Sequence, residues 1–172
     1  MSGDELVDVV DENNHVVRQA TRREVRQGHL WHRSVYIFVF NPEGQLFIHQ
    51  RTDSKDVFPG CWDVAVGGVL GAGEEYERGA RRELEEELGL AGVSLRRLFP
   101  MRYDDGTNRV CGMVYSCTAN ASLRLQASEI ATGEWLDLIT ALERTAQRPF
   151  CPDGLEALRL YLAKLEAARA RR

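Results

Sequence analysis

Between Glu74 and Leu88 the chain carries Tyr76, Ala80, Leu84 and Leu88 at four-residue intervals, a spacing that an α-helix turns into a single apolar face. Gly89 follows directly and predicts where that helix stops. The same winding sets Glu83, Glu86 and Glu87 at about 0°, −60° and +40° around the axis, on one side roughly 100° wide. Like charges three and four residues apart repel, so the grouping costs stability unless cations neutralise it. Two explanations stand at this point. One is a solvated acidic face paired with Arg78, Arg81 and Arg82, since Glu74/Arg78, Glu77/Arg81 and Arg82/Glu86 are each four apart. The other is a site for a hard divalent cation such as Mg2+, which takes oxygen ligands and keeps waters or substrate phosphates in its remaining positions.

Two glycine features favour the second. Gly79 lies on the carboxylate side, where glycine costs a helix about 1 kcal/mol relative to alanine; a metal or phosphate approaching the backbone would account for it. Upstream, Gly67-Gly68-Val69-Leu70-Gly71-Ala72-Gly73 predicts a tight loop between a strand and the helix, with backbone groups open to a ligand. It lacks the Lys-Ser/Thr ending of a P-loop and the GxGxxG spacing of a dinucleotide turn.

The remaining pattern predicts mixed α/β structure with a sheet between helices. Leu6 to Val10 and Val16 to Ala20 read as a hairpin, and Thr21 with Glu24 as a capping box opening a short helix to Gln27. Val35 to Phe40 is apolar on both alternating faces, the pattern of a central strand covered on both sides. Asn41 to Gly44 forms a turn, so Leu46 to Gln50 is expected to return antiparallel beside it. Further strands are expected at Trp62–Val66, Leu95–Phe99, Val110–Cys117 and Gly133–Leu136, and a helix over Leu138–Gln147. A last helix is expected to begin near Asp153, whose spacing to Glu156 suggests a capping box, and to bury Leu155, Leu158, Leu162 and Leu165.

At 172 residues, 44% hydrophobic and 28% charged, the chain suits one packed domain. Its formal net charge of −4, from 22 Lys+Arg against 26 Asp+Glu, gives no broad basic field for a nucleic-acid polymer. The basic residues from Lys164 to Arg172 complement the dipole of the last helix. The longest apolar run, Val35 to Phe40, is far short of the ~20 residues that span a bilayer, so no membrane role is expected. Cys61, Cys111, Cys117 and Cys151 form no CxxC pair, and the start at Met1 lacks a basic-then-apolar profile; both lead to the expectation of a cytoplasmic protein.

Gly68, five residues, Glu74, seven residues, then Arg82-Glu83-Leu84-Glu85-Glu86-Glu87-Leu88-Gly89-Leu90 resembles the Nudix box at every defined position. The resemblance implies an α/β/α sandwich with a central mixed sheet and an N-terminal hairpin extension. It divides the single domain, 1–172, into the extension at 1–30, the box at 68–90 and a C-terminal helix at 153–172. It further implies hydrolysis of a small diphosphate substrate, typically a nucleoside diphosphate linked to another group. Leu30-Trp31-His32-Arg33-Ser34 and the segment from Arg51 to Gly60 are similar to the isopentenyl-diphosphate-isomerase-like branch. Isomerases of that branch carry a reactive cysteine followed by Gly-His where this chain has Gly67-Gly68-Val69, so the hydrolase members are the better likeness. Cys61, six residues earlier, reads as a small buried residue.

By the same resemblance, Glu83 and Glu87 hold the principal Mg2+, with Mn2+ as a substitute, Glu86 takes a further ion or its water, and the Gly68 carbonyl is an additional ligand. Arg82 orients a carboxylate. The proton acceptor is Glu83 or Glu129, the latter in a segment that also holds Glu134, and Arg51 and Lys55 match diphosphate-contacting positions. His32 is a weaker ligand candidate, because its partner position holds Val69. Trp31, Trp62, Phe99, Tyr103 and Phe150 are either stacking partners or core. A homodimer is compatible with the family. The rival readings are an isopentenyl-diphosphate isomerase and a nucleotide-binding regulatory module without turnover.

Overall fold

The computed structural model describes residues 3–171. Strands β1 (Leu6–Val10) and β2 (Val16–Thr21) form the predicted antiparallel hairpin, and helix α1 (Arg22–Gln27) follows. Thr21 accepts the Glu24 N–H while Glu24 accepts the Thr21 N–H, so the expected capping box is formed. Val25 of α1 packs with Val7, Val9, Ala20 and Val69, which fastens the extension to the glycine loop.

Strand β3 (His32–Phe40) is the centre of the molecule. Val35, Ile37 and Val39 face one core, and Tyr36 and Phe38 the other, as the two-sided apolar pattern requires. One edge of β3 pairs in parallel along its full length with β7 (Arg109–Thr118), which carries the antiparallel outer strand β6 (Arg96–Asp104). β6 runs past the predicted Phe99 and contains Pro100, which an outer strand tolerates because one side of it needs no hydrogen-bond donor.

The other edge of β3 departs from expectation. Strand β4 (Leu46–Arg51) does return antiparallel, yet it shares only the Phe40/Leu46 pair with β3 before the two diverge. The predicted Trp62–Val66 strand fills the opening. Its first two residues, β5 (Trp62–Asp63), pair with β4, and Val66 and Val69 then bridge to Ile37 and Ser34 of β3. Strand β8 (Ile130–Leu136) pairs antiparallel with β4. The result is a mixed, open sheet, and its split edge is where the chain passes from strand to glycine loop.

Helix α2 (Tyr76–Leu88) covers one face through Ala80, Leu84 and Leu88, each fully buried. Burying a leucine side chain contributes about 1.5–3 kcal/mol, so this stripe fixes the helix to the sheet. Gly89 closes it in the left-handed conformation, φ 67°, its N–H donating to the Glu85 and Leu84 carbonyls. Helices α3 (Leu138–Thr145) and α4 (Pro152–Arg169) cover the opposite face through Ala141, Ala157 and Leu158.

The start of α4 corrects one expectation. Pro152 opens the helix behind Cys151, and Asp153 is buried inside its first turn, accepting from the Tyr36 hydroxyl at 2.9 Å. It therefore makes no capping box with Glu156. Leu158 is buried as predicted, whereas Leu155, Leu162 and Leu165 are only half-buried. Among the described residues, no helix is long and apolar enough to cross a membrane.

Candidate active site

A cleft of about 420 Å³ opens where the split sheet edge, the glycine loop and α2 meet. Gly67 and Gly68 make this approach possible. A Cβ on Gly67 would fall 2.0 Å from the Val35 carbonyl oxygen, and one on Gly68 would fall 2.6 Å from Glu83 Oε1. The loop is thus pressed against β3 on one side and receives the Glu83 carboxylate on the other. The Gly68 carbonyl accepts the Val35 N–H at 3.0 Å, which leaves its second lone pair free.

Glu83 and Glu87 are each only 6% exposed and line this cleft together. Burial lifts the Glu83 carboxyl above the usual glutamate range, against the lowering influence of Arg82. Burial, reinforced by the charge of Glu83, lifts Glu87 well above it. Arg82 gathers the remaining acids. Its Nε and Nη2 donate to the two oxygens of Glu74 at 2.8 and 2.9 Å, and its Nη1 donates to Glu83 at 2.8 Å and Glu86 at 3.1 Å. The arginine is thereby a positioning group for Glu83, and the Glu86 side chain, 51% exposed, is turned toward it at the rim.

The far wall comes from two loops that the C-terminal end of α2 organises. The Gln126 N–H donates to the Glu87 carbonyl at 2.9 Å, and the Thr52 hydroxyl donates to the Ser128 carbonyl at 3.0 Å. These bonds bring Glu129 and Lys55 together as an ion pair beside Glu87. Arg51 lines the same wall, its guanidinium braced on the Val57 carbonyl at 3.0 and 3.2 Å.

Hard carboxylate oxygens suit Mg2+ or Mn2+, and a divalent cation would relieve the mutual repulsion of Glu83 and Glu87. Among the described residues, no three His, Cys, Asp or Glu side chains form a ready-made metal cage. Such an incomplete protein shell fits a cation that keeps waters and substrate oxygens as ligands, so the donor set and the metal are compatible.

The NUDIX domain pattern matches residues 30–154. The chain belongs to the Nudix family. It is 44% identical over 158 residues to the uncharacterized Nudix hydrolase PA4841 of Pseudomonas aeruginosa, covering 92% of this chain and 94% of that one. It is 39% identical over 165 residues to the uncharacterized Nudix hydrolase YfcD of Escherichia coli K12, covering 95% and 90%. The crystal structure of DR0079 from Deinococcus radiodurans superposes with a TM-score of 0.79 at 34% identity, covering 90% of this chain and 98% of that one. These relationships indicate an enzyme of the pyrophosphohydrolase class.

Of the residues that the Nudix resemblance singled out, Gly68, Arg82, Glu83, Glu86, Glu87, Arg51, Lys55 and Glu129 all line the one cleft. Glu134 does not; it faces Arg148 at 2.8 Å on β8. His32 reaches the cleft but is packed, its Nδ1 3.1 Å from the Leu30 carbonyl, and burial lowers its pKa to about 4. The five aromatics proposed for stacking lie elsewhere: Phe99 and Phe150 are core, Tyr103 packs against it, and Trp31 and Trp62 lie under Arg102 and Arg148. Tyr36 and Phe58 are the aromatic residues of the cleft.

Gly79 also requires a different explanation. A Cβ there would fall 2.1 Å from Leu70 Cδ2, so the missing side chain makes room for the glycine loop rather than for a metal. Cys61 is half-exposed, not buried, and lies outside the cleft. Sequence reasoning missed Arg22, Arg26, Asp63, Asn108 and Asp153 as cleft residues. An acid inside the apolar run from Trp62 to Val66 was a usable signal for Asp63. The two arginines carried none, because their loop partners are remote in sequence.

Proposed function

We propose that this protein hydrolyses a phosphoanhydride bond in a nucleoside-diphosphate-linked or related small diphosphate, with Mg2+ or Mn2+ as the working metal. The observation that carries the reading is the burial of Glu83 and Glu87 side by side in a cleft whose opposite wall presents Arg51 and Lys55. Glu83 and Glu87 would hold the metal, with the Gly68 carbonyl as an additional ligand, and Glu86 would take a further ion or its water. When bound, the metal neutralises diphosphate charge and lowers the pKa of a water ligand.

Arg51 and Lys55 bind and orient the diphosphate; the guanidinium suits bidentate contact, and its bracing on Val57 limits the freedom it must lose. Arg82 keeps Glu83 in place. Glu129 accepts the proton of the attacking water, since Glu83 is committed to Arg82 and to the metal in this reading. Lys55 holds that carboxylate on the cleft side of its loop.

Within the family we place the chain among the hydrolase members of the isopentenyl-diphosphate-isomerase-like branch. The hairpin extension supports that placement, as do Gly67 and Val69 in the positions of the isomerase cysteine and histidine. A panel of diphosphates assayed with Mg2+ and Mn2+ for cleavage of the anhydride, into two phosphomonoesters or, from an uncapped diphosphate, a monoester and inorganic phosphate, tests the function. Turnover of at least one with strict metal dependence is expected. Conversion of isopentenyl diphosphate without cleavage of its diphosphate would establish an isomerase instead, and tight nucleotide binding with no cleavage of any compound would establish a regulatory module.

A further inference from the structure

One end of the cleft is lined by Arg22 and Arg26 of α1, which precede the matched family region at 30–154. They stand one helical turn apart, so their side chains leave the same face of the helix. The Nε–H groups of both are buried without an aligned hydrogen bond, that of Arg26 lying against the Asp56 carboxylate. A buried guanidinium normally has most of its donors satisfied, and neither of these donates a hydrogen bond within the described residues. The Arg22 side chain is 12% exposed.

The surroundings are short of negative charge. Asp56, itself 52% exposed, serves both arginines: it lies 3.8 Å from Arg22 Nη2 and 3.0 Å from Arg26 Nε, without the alignment of a hydrogen bond in the latter. Glu5 also lines this end of the cleft but forms no ion pair with either arginine among the described residues. Burial, with the charges of Arg22 and Arg51, pushes the Arg26 pKa down against the pull of Asp56, as expected for an under-compensated cationic group.

We propose that Arg22 and Arg26, with Arg51, form an anion wall that receives an uncapped terminal phosphate of the substrate, so that the enzyme prefers diphosphates ending in a free phosphate dianion. Arg22 and Arg26 line the cleft and share the single carboxylate of Asp56, so their guanidinium groups keep donors for an anion, and two of them on one helix face match the several oxygens of a dianion. That the bound phosphate belongs to a substrate rests on the hydrolase reading above; the wall itself does not.

The two are separated by titrating the metal-free protein in EDTA with inorganic pyrophosphate by calorimetry, where no turnover occurs. Arg26→Gln and Arg22→Gln are expected to weaken binding about tenfold each, and Arg26→Lys to recover part of the loss. Asp56→Asn, which removes the competing carboxylate and leaves both arginines intact, is expected to tighten binding severalfold; it decides the matter even if Arg22→Gln does not fold. Unchanged affinity in Arg26→Gln, or weaker binding in Asp56→Asn, would mean that the arginines serve only to anchor the loop. With turnover, Arg26→Gln should raise KM for a nucleoside diphosphate about tenfold more than for the same diphosphate capped by a sugar. An equal rise for both would remove the terminal-phosphate assignment. Absence of turnover on any diphosphate would sink the hydrolase reading while the pyrophosphate titration still decides the wall.

Discussion

Lys55 and Glu129, 74 residues apart in sequence, meet as an ion pair on the wall of the cleft opposite α2. Neither loop would place its charge there alone. The Gln126 N–H on the Glu87 carbonyl and the Thr52 hydroxyl on the Ser128 carbonyl join both to the end of α2. If Glu129 accepts the proton of the attacking water, Glu129→Gln should lower kcat by about 100-fold or more with little change in KM. Steady-state kinetics on any accepted diphosphate checks this, and a change confined to KM would reassign Glu129 to substrate binding.

Gly79 is held by packing, so Gly79→Ala should destabilise the protein by about 1–3 kcal/mol despite alanine's better helix propensity. The added methyl meets Leu70, whose loop carries Gly67 and Gly68 to the cleft. Urea unfolding of the two proteins measures the difference. A stabilised variant would show that Leu70 gives way freely and that Gly79 has another purpose.

How much of this was legible in the sequence divides along a physical line. Local periodicity identified α2, the two-sided strand β3 and the capping box of α1, because those patterns are set by neighbours within one or two turns. The box residues, with Arg51 and Lys55, were found through the resemblance to the Nudix family, and the structure gathers them into one cleft. What stayed hidden depends on remote partners. The wedge of Trp62 to Val69 between β3 and β4 is fixed by pairing across the sheet, and Asp153 looked like a helix cap because its partner Tyr36 lies 117 residues away. Gly79 misled for the same reason: the atom that excludes a side chain belongs to Leu70, in the preceding loop.

Asp63 gives the protein a pH dependence. Burial, with the charge of Asp153, raises its carboxyl to about 7, far above an unfolded aspartate near ~3.9. The folded chain therefore holds this proton more tightly than the unfolded one. The group's contribution is fully present below about pH 4 and is lost as pH rises through about 7. Asp63→Asn should accordingly stabilise the protein at pH 8, by about 1–3 kcal/mol, and bring little gain at pH 4. Thermal unfolding of parent and variant at the two pH values checks it; an equal difference at both would show that Asp63 ionises without cost.

Hydrolysis in the proposed mechanism depends on Glu83 and Glu87 holding the metal. It is measured by the Mg2+ dependence of diphosphate cleavage by Glu83→Gln and Glu87→Gln proteins shown by circular dichroism to be folded. Each is expected to lose at least about 100-fold in kcat at saturating substrate and to need far more Mg2+ for its residual rate. Folded variants that cleave the diphosphate as fast as the parent, at the same Mg2+ concentration, would remove Glu83 and Glu87 from the metal site.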